Sequence, residues 1–261
     1  MTINIKSSLL SFALMLVVLG GLYTSPAQGA GDSVKLEKQD WSFTGIFGTY
    51  DRGALKRGYQ IYSEVCASCH SLEYLAYRNL QEIGFSADKI KEIAAEFEVE
   101  DGPDDEGEMY LRPARQSDKF VAPFANEKAA RAANNGAYPP DLSLMTKARK
   151  SGPDYIYGLL TRYKDEAPEG VEIADGMNYN EVYPGHQIAM AAPLDDESVE
   201  YADGTEATLQ QHAKDVTTFL MWTASPEMEE RKRLGIKVIL FLLIWTAMLI
   251  ALKKKVWAKL H

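Results

Sequence analysis

A mainly α-helical domain with long loop insertions, followed by one C-terminal transmembrane helix, is the fold class that this sequence predicts. Three observations predict it. Apolar residues recur at helical spacing in several separate stretches. The segments between those stretches are rich in Gly, Pro and Asp, with little strand-like alternation. Near the C-terminus, residues 234–252, LGIKVILFLLIWTAMLIAL, run for 19 residues with a single charge, Lys237, near the start.

Taken in order, the chain begins with the layout of a secretory signal over residues 1–30. Lys6 gives a weakly basic start, an apolar run covers residues 9–22, and a small-residue tract ends near Ala30. Cleavage is expected after Ala27, Gly29 or Ala30, and the lack of an Arg-rich leader favours bacterial export; an uncleaved anchor is the alternative. Residues 31–50 read as an extended lead-in whose Trp41, Phe43, Ile46 and Phe47 are available to pack on the domain. A helix follows over residues 52–65, with Leu55, Tyr59 and Tyr62 on one face; its Gly58 needs a close neighbour to justify it. Residues 86–99 read as an amphipathic helix capped by Ser86, with Ile90, Ile93, Ala94 and Phe97 inward. The acidic stretch at 100–108 reads as a turn-rich loop.

A short helix is expected within residues 126–136, and Asp141 is a candidate cap for another. Residues 151–163 read as a helix with Tyr155, Leu159 and Arg162 at helical spacing. Residues 164–209 are mostly loop, with short strands expected near 171–173 and around Tyr201. Residues 211–223 return to helix with Val216, Phe219, Leu220 and Thr223 on one face, and the apolar run then continues as an anchor. The expected organisation is a signal over residues 1–30, an exported domain over 31–233, the membrane helix over 234–252 and a tail over 253–261.

Charge orients this arrangement. Lys253, Lys254, Lys255 and Lys259 follow the apolar run with no acids among them, which expects the tail in the cytoplasm and the domain outside. Six of the 28 Lys and Arg lie outside residues 31–233, so that part carries 22 against all 37 Asp and Glu, a formal −15. That sign argues against nucleic-acid binding, while a basic protein partner suits it.

The chemistry concentrates in EVCASCHSLEY, residues 64–74, which holds both cysteines and a histidine directly after the second. A zinc site would need a second ligand pair; His186 is available in sequence, but no second paired motif accompanies it. A dithiol catalyst would need a βαβ context, and a helical pattern precedes Cys66 instead. Covalent c-type haem uses every part of the motif: thioethers from Cys66 and Cys69, and iron ligation by His70. An opposite axial thioether would close the iron and favour its reduced state. Met190, in YPGHQIAMAAPL, is a candidate because Pro184 and Pro193 stiffen its loop, and His186 is the rival four residues upstream.

The sequence also resembles the cytochrome c1 family, the haem subunits of the cytochrome bc1 complex. The resemblance runs from about Trp41 to the C-terminus through KRGYQIYSEVCASCHSLEYLAYRNL, DGPDDEGEMYLRPA, AARAANNGAYPPDLS, PGHQIAMAAPL and AKDVTTFLMW, followed by RKRLG directly before the anchor. It implies a cytochrome c-type helical core, with insertions between His70 and Met190. It also implies one covalent haem c on Cys66 and Cys69, with His70 and Met190 as axial ligands and His186 in a lesser role. Arg149 and Tyr155 would lie beside a haem propionate, and Pro139 and Pro140 would border the haem edge. Two departures stand out. Ala191 and Ala192 follow the ligand where the family often has more proline, and the disulfide of some bacterial relatives is impossible here because both cysteines are committed.

The function implied is one-electron transfer from the Rieske iron–sulfur protein to a soluble cytochrome c. Cytochrome b and the Rieske protein would be partners in a dimeric complex, in a bacterial cytoplasmic membrane with the haem domain in the periplasm. Another anchored c-type cytochrome and a haem peroxidase are the alternatives. The acidic segments 104–108 and 195–197 are candidates for steering a basic carrier.

Overall fold

The structure, a computed structural model, describes residues 36–258. The expected signal over residues 1–30 lies outside the described residues, as do Lys259 and His261. Seven α-helices, two 3₁₀ segments and two small antiparallel ladders are found among the described residues. Helix α1 (Arg52–Glu64) starts where Asp51 accepts hydrogen bonds from the backbone N–H groups of Gly53 and Ala54. These are donors that a helix start otherwise leaves unpaired. Its Leu55, Tyr59 and Tyr62 face inward as expected.

Helix α1 packs on α6 (Leu209–Thr223), and this crossing is the centre of the core. Gly58 makes the close approach possible: a Cβ there would lie 2.1 Å from the carbonyl oxygen of Asp215 and 2.7 Å from Phe219 Cβ. Around the crossing, Tyr59 and Tyr62 meet the Phe219 ring at centroid distances of 5.8 and 5.9 Å, and Phe219 leans on Trp222 at 5.7 Å. Tyr77, in a 3₁₀ segment (Tyr77–Ile83), stacks on Phe120 at 4.6 Å and extends the aromatic cluster.

The same crossing holds a buried ion pair. Arg57 donates from Nε (2.7 Å) and Nη2 (3.1 Å) to the carboxylate of Asp215, whose side chain is 1% exposed. It also donates to Asp203 at 2.8 Å, and these carboxylates raise the guanidinium pKa above its usual value. Gln211 supplies Asp215 with a further donor at 3.0 Å. One turn away, His212 is fully buried, with Nδ1 2.8 Å from the Tyr201 hydroxyl. Burial lowers its pKa from 6.5, against the opposing pull of Asp215, Asp196 and Asp195. Below pH 6.5 the unfolded chain therefore takes up a proton that the native chain resists, and the native state loses stability as pH falls. His212→Met is expected to flatten the decline of thermal midpoint between about pH 6.5 and 5. A decline as steep as in the parent would show that His212 does not drive it.

Helix α2 (Ala87–Ala95) is capped by Ser86, as expected, and buries Ile90, Ile93 and Ala94. It stops earlier than the sequence suggests, because residues 98–101 pair as a strand; Phe97 is 38% exposed and stacks on Tyr77. Strand β1 (Glu98–Asp101) runs antiparallel to β2 (Tyr110–Pro113), so the acidic stretch begins as a ladder. Arg112 bridges Asp101 and Asp118 across it. Helices α3 (Glu127–Ala133), α4 (Met145–Ala148) and α5 (Pro153–Thr161) follow, with Asn126 capping α3.

Several expectations are corrected. No strand forms at residues 171–173 or at Tyr201; the second ladder is instead β3 (Asn178–Tyr179) with β4 (Gln187–Ile188). Val171 closes a turn onto the Pro168 carbonyl, and Tyr201 sinks its ring to meet His212. Asp141 does not cap a helix: α4 begins after Leu144, and the Asp141 carboxylate has other partners, given below. In the lead-in, Trp41 and Phe43 are buried and stacked at 5.4 Å, with Trp41 Nε1 donating to Asp154 on α5. Ile46 and Phe47 do not pack on the domain and stand in the open.

Helix α7 (Met228–Trp257) contains the apolar run and is, among the described residues, the one helix long and apolar enough to cross a membrane. Only residues 224–227 separate it from α6. Ser225 and Met228 are buried, and the Tyr50 hydroxyl donates to the carbonyls of Met221 and Ser225. Tyr50 N–H donates to Glu229 at 2.7 Å, Arg52 pairs with the same carboxylate, and Lys232 donates to the carbonyls of Phe43 and Gly48. The first turn and a half of α7 is thus tied to the domain on two sides.

Candidate haem site

Helix α1 delivers the motif. At its end the chain tightens into a 3₁₀ turn, Cys66–Ser68, closed by Cys69 N–H and His70 N–H both donating to the Cys66 carbonyl at 3.1 and 2.9 Å. This turn sets the two thiols and the imidazole on consecutive short steps of one loop. Cys66 and Cys69 are half-buried and not in a disulfide. Burial, with Cys69 beside it, pushes the Cys66 thiol up to about 12. A dithiol catalyst needs the opposite shift.

His70 is held by a segment far away in sequence. Its Nδ1 lies 2.7 Å from the Pro140 carbonyl, so that nitrogen carries the proton and donates, while Nε2 keeps its lone pair. Burial lowers the imidazole pKa, which favours this neutral form. Asp141 fixes the spacing of the two segments. Its carboxylate accepts from Ser71 Oγ (2.9 Å), Glu73 N–H (2.7 Å) and Ser143 N–H (2.9 Å). The Leu142 N–H donates to the Ser71 carbonyl at 2.9 Å. Thr146 and Thr223 hydroxyls donate to the carbonyls of Leu220 and Ser143, which seats residues 143–146 on α6.

A second group gathers around Met190. Its carbonyl accepts from the Tyr163 hydroxyl at 3.1 Å, and its side chain is half-buried. Burial first, then the neighbouring Tyr155 and Tyr183 hydroxyls, raise the Tyr163 pKa. Tyr155 is buried on α5, where burial raises its pKa against the opposing charge of the exposed Arg149. The turn before Met190 is organised by the fully buried Asn180, which donates to the Leu159 carbonyl at 2.8 Å and accepts from Val182 N–H and Tyr183 N–H. His186 sits in that turn with positive φ, its ring stacked on Tyr179 and its Nδ1 3.2 Å from the Asn180 carbonyl.

The structure therefore brings Cys66, Cys69, His70 and Pro140 together, with Pro139 beside them in the chain, sets the Arg149 charge near Tyr155, and links Tyr163 to Met190. Sequence reasoning missed Asp141 as a clamp, Asn180 and Tyr163. Asn180 had a signal, since an Asn in a stretch dense in Pro and Gly often bonds its own turn. Tyr163 had none, because its partner is 27 residues away. The donor set fits a covalently held haem: two thiols on one turn and an imidazole fixed at one nitrogen with the other available.

A helical core carrying Cys-x-x-Cys-His, joined to one membrane-length helix, defines a membrane-anchored c-type cytochrome. Residues 41–260 match the model of the Cytochrome C1 family, and the chain belongs to that family, whose members are haem-bearing electron-transfer subunits of the bc1 complex. It is 47% identical to a cytochrome c1 of Rhodospirillum rubrum over 272 residues, covering 98% of both chains. It is 48% identical to a cytochrome b/c1 of Bradyrhizobium diazoefficiens over 96% of this chain but only 40% of that longer relative. A mitochondrial cytochrome c1 heme protein of Saccharomyces cerevisiae is 52% identical over 84% of this chain and 71% of its own length.

Proposed function

We propose that this chain passes single electrons from the Rieske iron–sulfur protein to a soluble cytochrome c, within a dimeric bc1 complex that also contains cytochrome b. The observation that carries this reading is the motif itself, presented on a closed turn with His70 held at Nδ1 by Pro140, in a chain of the cytochrome C1 family. Bound haem supplies a one-electron iron couple.

The chain's residues supply the rest. Cys66 and Cys69 would hold the haem covalently as thioethers. His70 offers Nε2 to the iron, with its ring orientation set by the Nδ1 bond to Pro140. Met190 would offer its thioether to the iron, and Tyr163 holds its backbone in place. The family resemblance supports Met190 over His186, whose Nδ1 lies 3.2 Å from the Asn180 carbonyl. Arg149 and Tyr155 would supply a cation and a hydroxyl to a haem propionate, chemistry suited to a carboxylate. Pro140 borders the same cofactor through its place beside His70.

The charge asymmetry around the apolar run supports a periplasmic haem domain over residues 31–233 in the bacterial cytoplasmic membrane. The membrane segment is then residues 234–252, the tail over 253–261 is cytoplasmic, and residues 1–30 act as a cleaved signal. Exposed acids such as Asp105 and Glu106 steer a basic carrier, while Asp104 is occupied in closing its own turn with Glu106 N–H and Glu108 N–H.

Purification from native membranes in mild detergent tests the assignment. Cytochrome b and a Rieske protein are expected to co-purify, and haem is expected to stay on this polypeptide in a denaturing gel. Isolation of the chain alone, competent to reduce an oxidase, would replace the proposal with a free-standing anchored cytochrome.

A further inference from the structure

Ile46 is 69% exposed and Phe47 84% exposed, although Trp41 and Phe43 of the same short segment are 3% and 4% exposed. Two large apolar side chains thus occupy the tip of a closed turn, where polar residues are the usual choice. The turn is built, not loose. Thr44 N–H donates to the Trp41 carbonyl and Thr49 N–H to the Ser42 carbonyl, and Gly45 takes φ +73° at the bend. Its mouth is fixed to one membrane-helix side chain, since Lys232 Nζ donates to Phe43 O at 2.7 Å and Gly48 O at 2.9 Å.

Lys232 lies two residues before Leu234, where the apolar run begins, a rise of about 3 Å along the helix. Ile46 is two positions and Phe47 one position from the bonded Gly48, a backbone reach of at most roughly 3–7 Å, to which the side chains add. The interfacial zone of a bilayer is about 5–8 Å deep on each side, so the tip falls within its range. Arg233 is exposed at the same level and suits a lipid phosphate, while Arg231 pairs with Glu227. The apolar tip is therefore within reach of the surface that α7 presents to lipid.

We infer that the turn over residues 43–48 is a second membrane contact, in which Ile46 and Phe47 embed in the lipid interface beside α7. Together with the helix it fixes the haem domain's orientation against the bilayer, because two attachment points resist a tilt that one would allow. Its occupant is lipid, and the contact needs no partner subunit.

Hydroxyl-radical footprinting of the unaltered holoprotein in lipid nanodiscs tests this, with Tyr74 as an internal reference. Tyr74 is 68% exposed, an exposure comparable to that of the tip. After correction for intrinsic reactivity, Ile46 and Phe47 are expected to be oxidised several-fold less than Tyr74 when this chain alone is in the disc. Oxidation of Ile46 and Phe47 in line with their exposure would overturn the inference. Protection that appears only in discs holding the chain assembled with cytochrome b would also overturn it, by making the occupant protein. Neither result would bear on electron transfer, since haem spectra and co-purification are read separately.

Discussion

Met190→Leu is expected to lower the midpoint potential of the holoprotein by on the order of 0.1 V or more, within the ~0.8 V range that axial ligation spans. The same variant is expected to bind carbon monoxide rapidly when reduced, because the axial position proposed for Met190 would open. Leucine has nearly the volume of methionine, so packing should change by less than about 1.5 kcal/mol. The anchors of the loop are backbone or distant side-chain bonds: the Tyr163 hydroxyl on the Met190 carbonyl, and Asn180 with its three partners. Neither depends on the sulfur. The thioether is then the single thing removed, and His186→Gln serves as the matched control that should leave potential and ligand binding unchanged. If Met190→Leu keeps the parent potential and stays closed to carbon monoxide while His186→Gln does not, the axial assignment moves to His186.

Arg57→Leu should cost about 3–5 kcal/mol of stability, the largest loss expected of any single substitution considered. The cause is the group left behind more than the bond lost. Asp215 is 1% exposed and sits under the α1–α6 crossing, where its carboxylate would keep Gln211 but lose two charged donors. Pairing Arg57→Leu with Asp215→Leu should recover most of the loss, because two apolar groups of similar size replace the ion pair. Unfolding midpoints of the four members of this cycle in detergent give the coupling directly. A single-variant loss below about 1 kcal/mol would mean that the pair behaves as a solvent-screened surface bridge.

The helices were legible because their evidence is local. Leu55, Tyr59 and Tyr62 carry the period of α1, and Asp51 and Ser86 sit where caps belong. Gly58 pointed to a close helix neighbour, and the carbonyl of Asp215 is that neighbour. The strands were not legible for a physical reason. Glu98, Glu100 and Asp101 have poor intrinsic strand preference, and their ladder is held by Arg112 between two carboxylates, one of them beyond the hairpin. Val171 and Tyr201 have strand-like side chains but no partner segment to pair with, so one turns and the other buries its ring.

The motif at residues 66–70 was read from five letters, since its chemistry is contained in them. What orients it was not contained there. The Pro140 bond to His70 spans 70 residues, as does the Ser71–Asp141 bond, and such contacts exist only after the chain has folded back. Asp141 illustrates the limit well. Its type and position suggested a helix cap, a local role, and it proved to join two distant strips of the site.

The short junction between α6 and α7 has a consequence for how such a relay can work. With Tyr50, Arg52 and Lys232 all bonded across it, the domain has no hinge at the membrane surface. It behaves as a post, not as an arm: the height of its redox centre above the lipid is set once, when the chain folds. Distance control in the relay then belongs to the neighbours. In the relay proposed above, donor and acceptor would each have to come to a centre of fixed height.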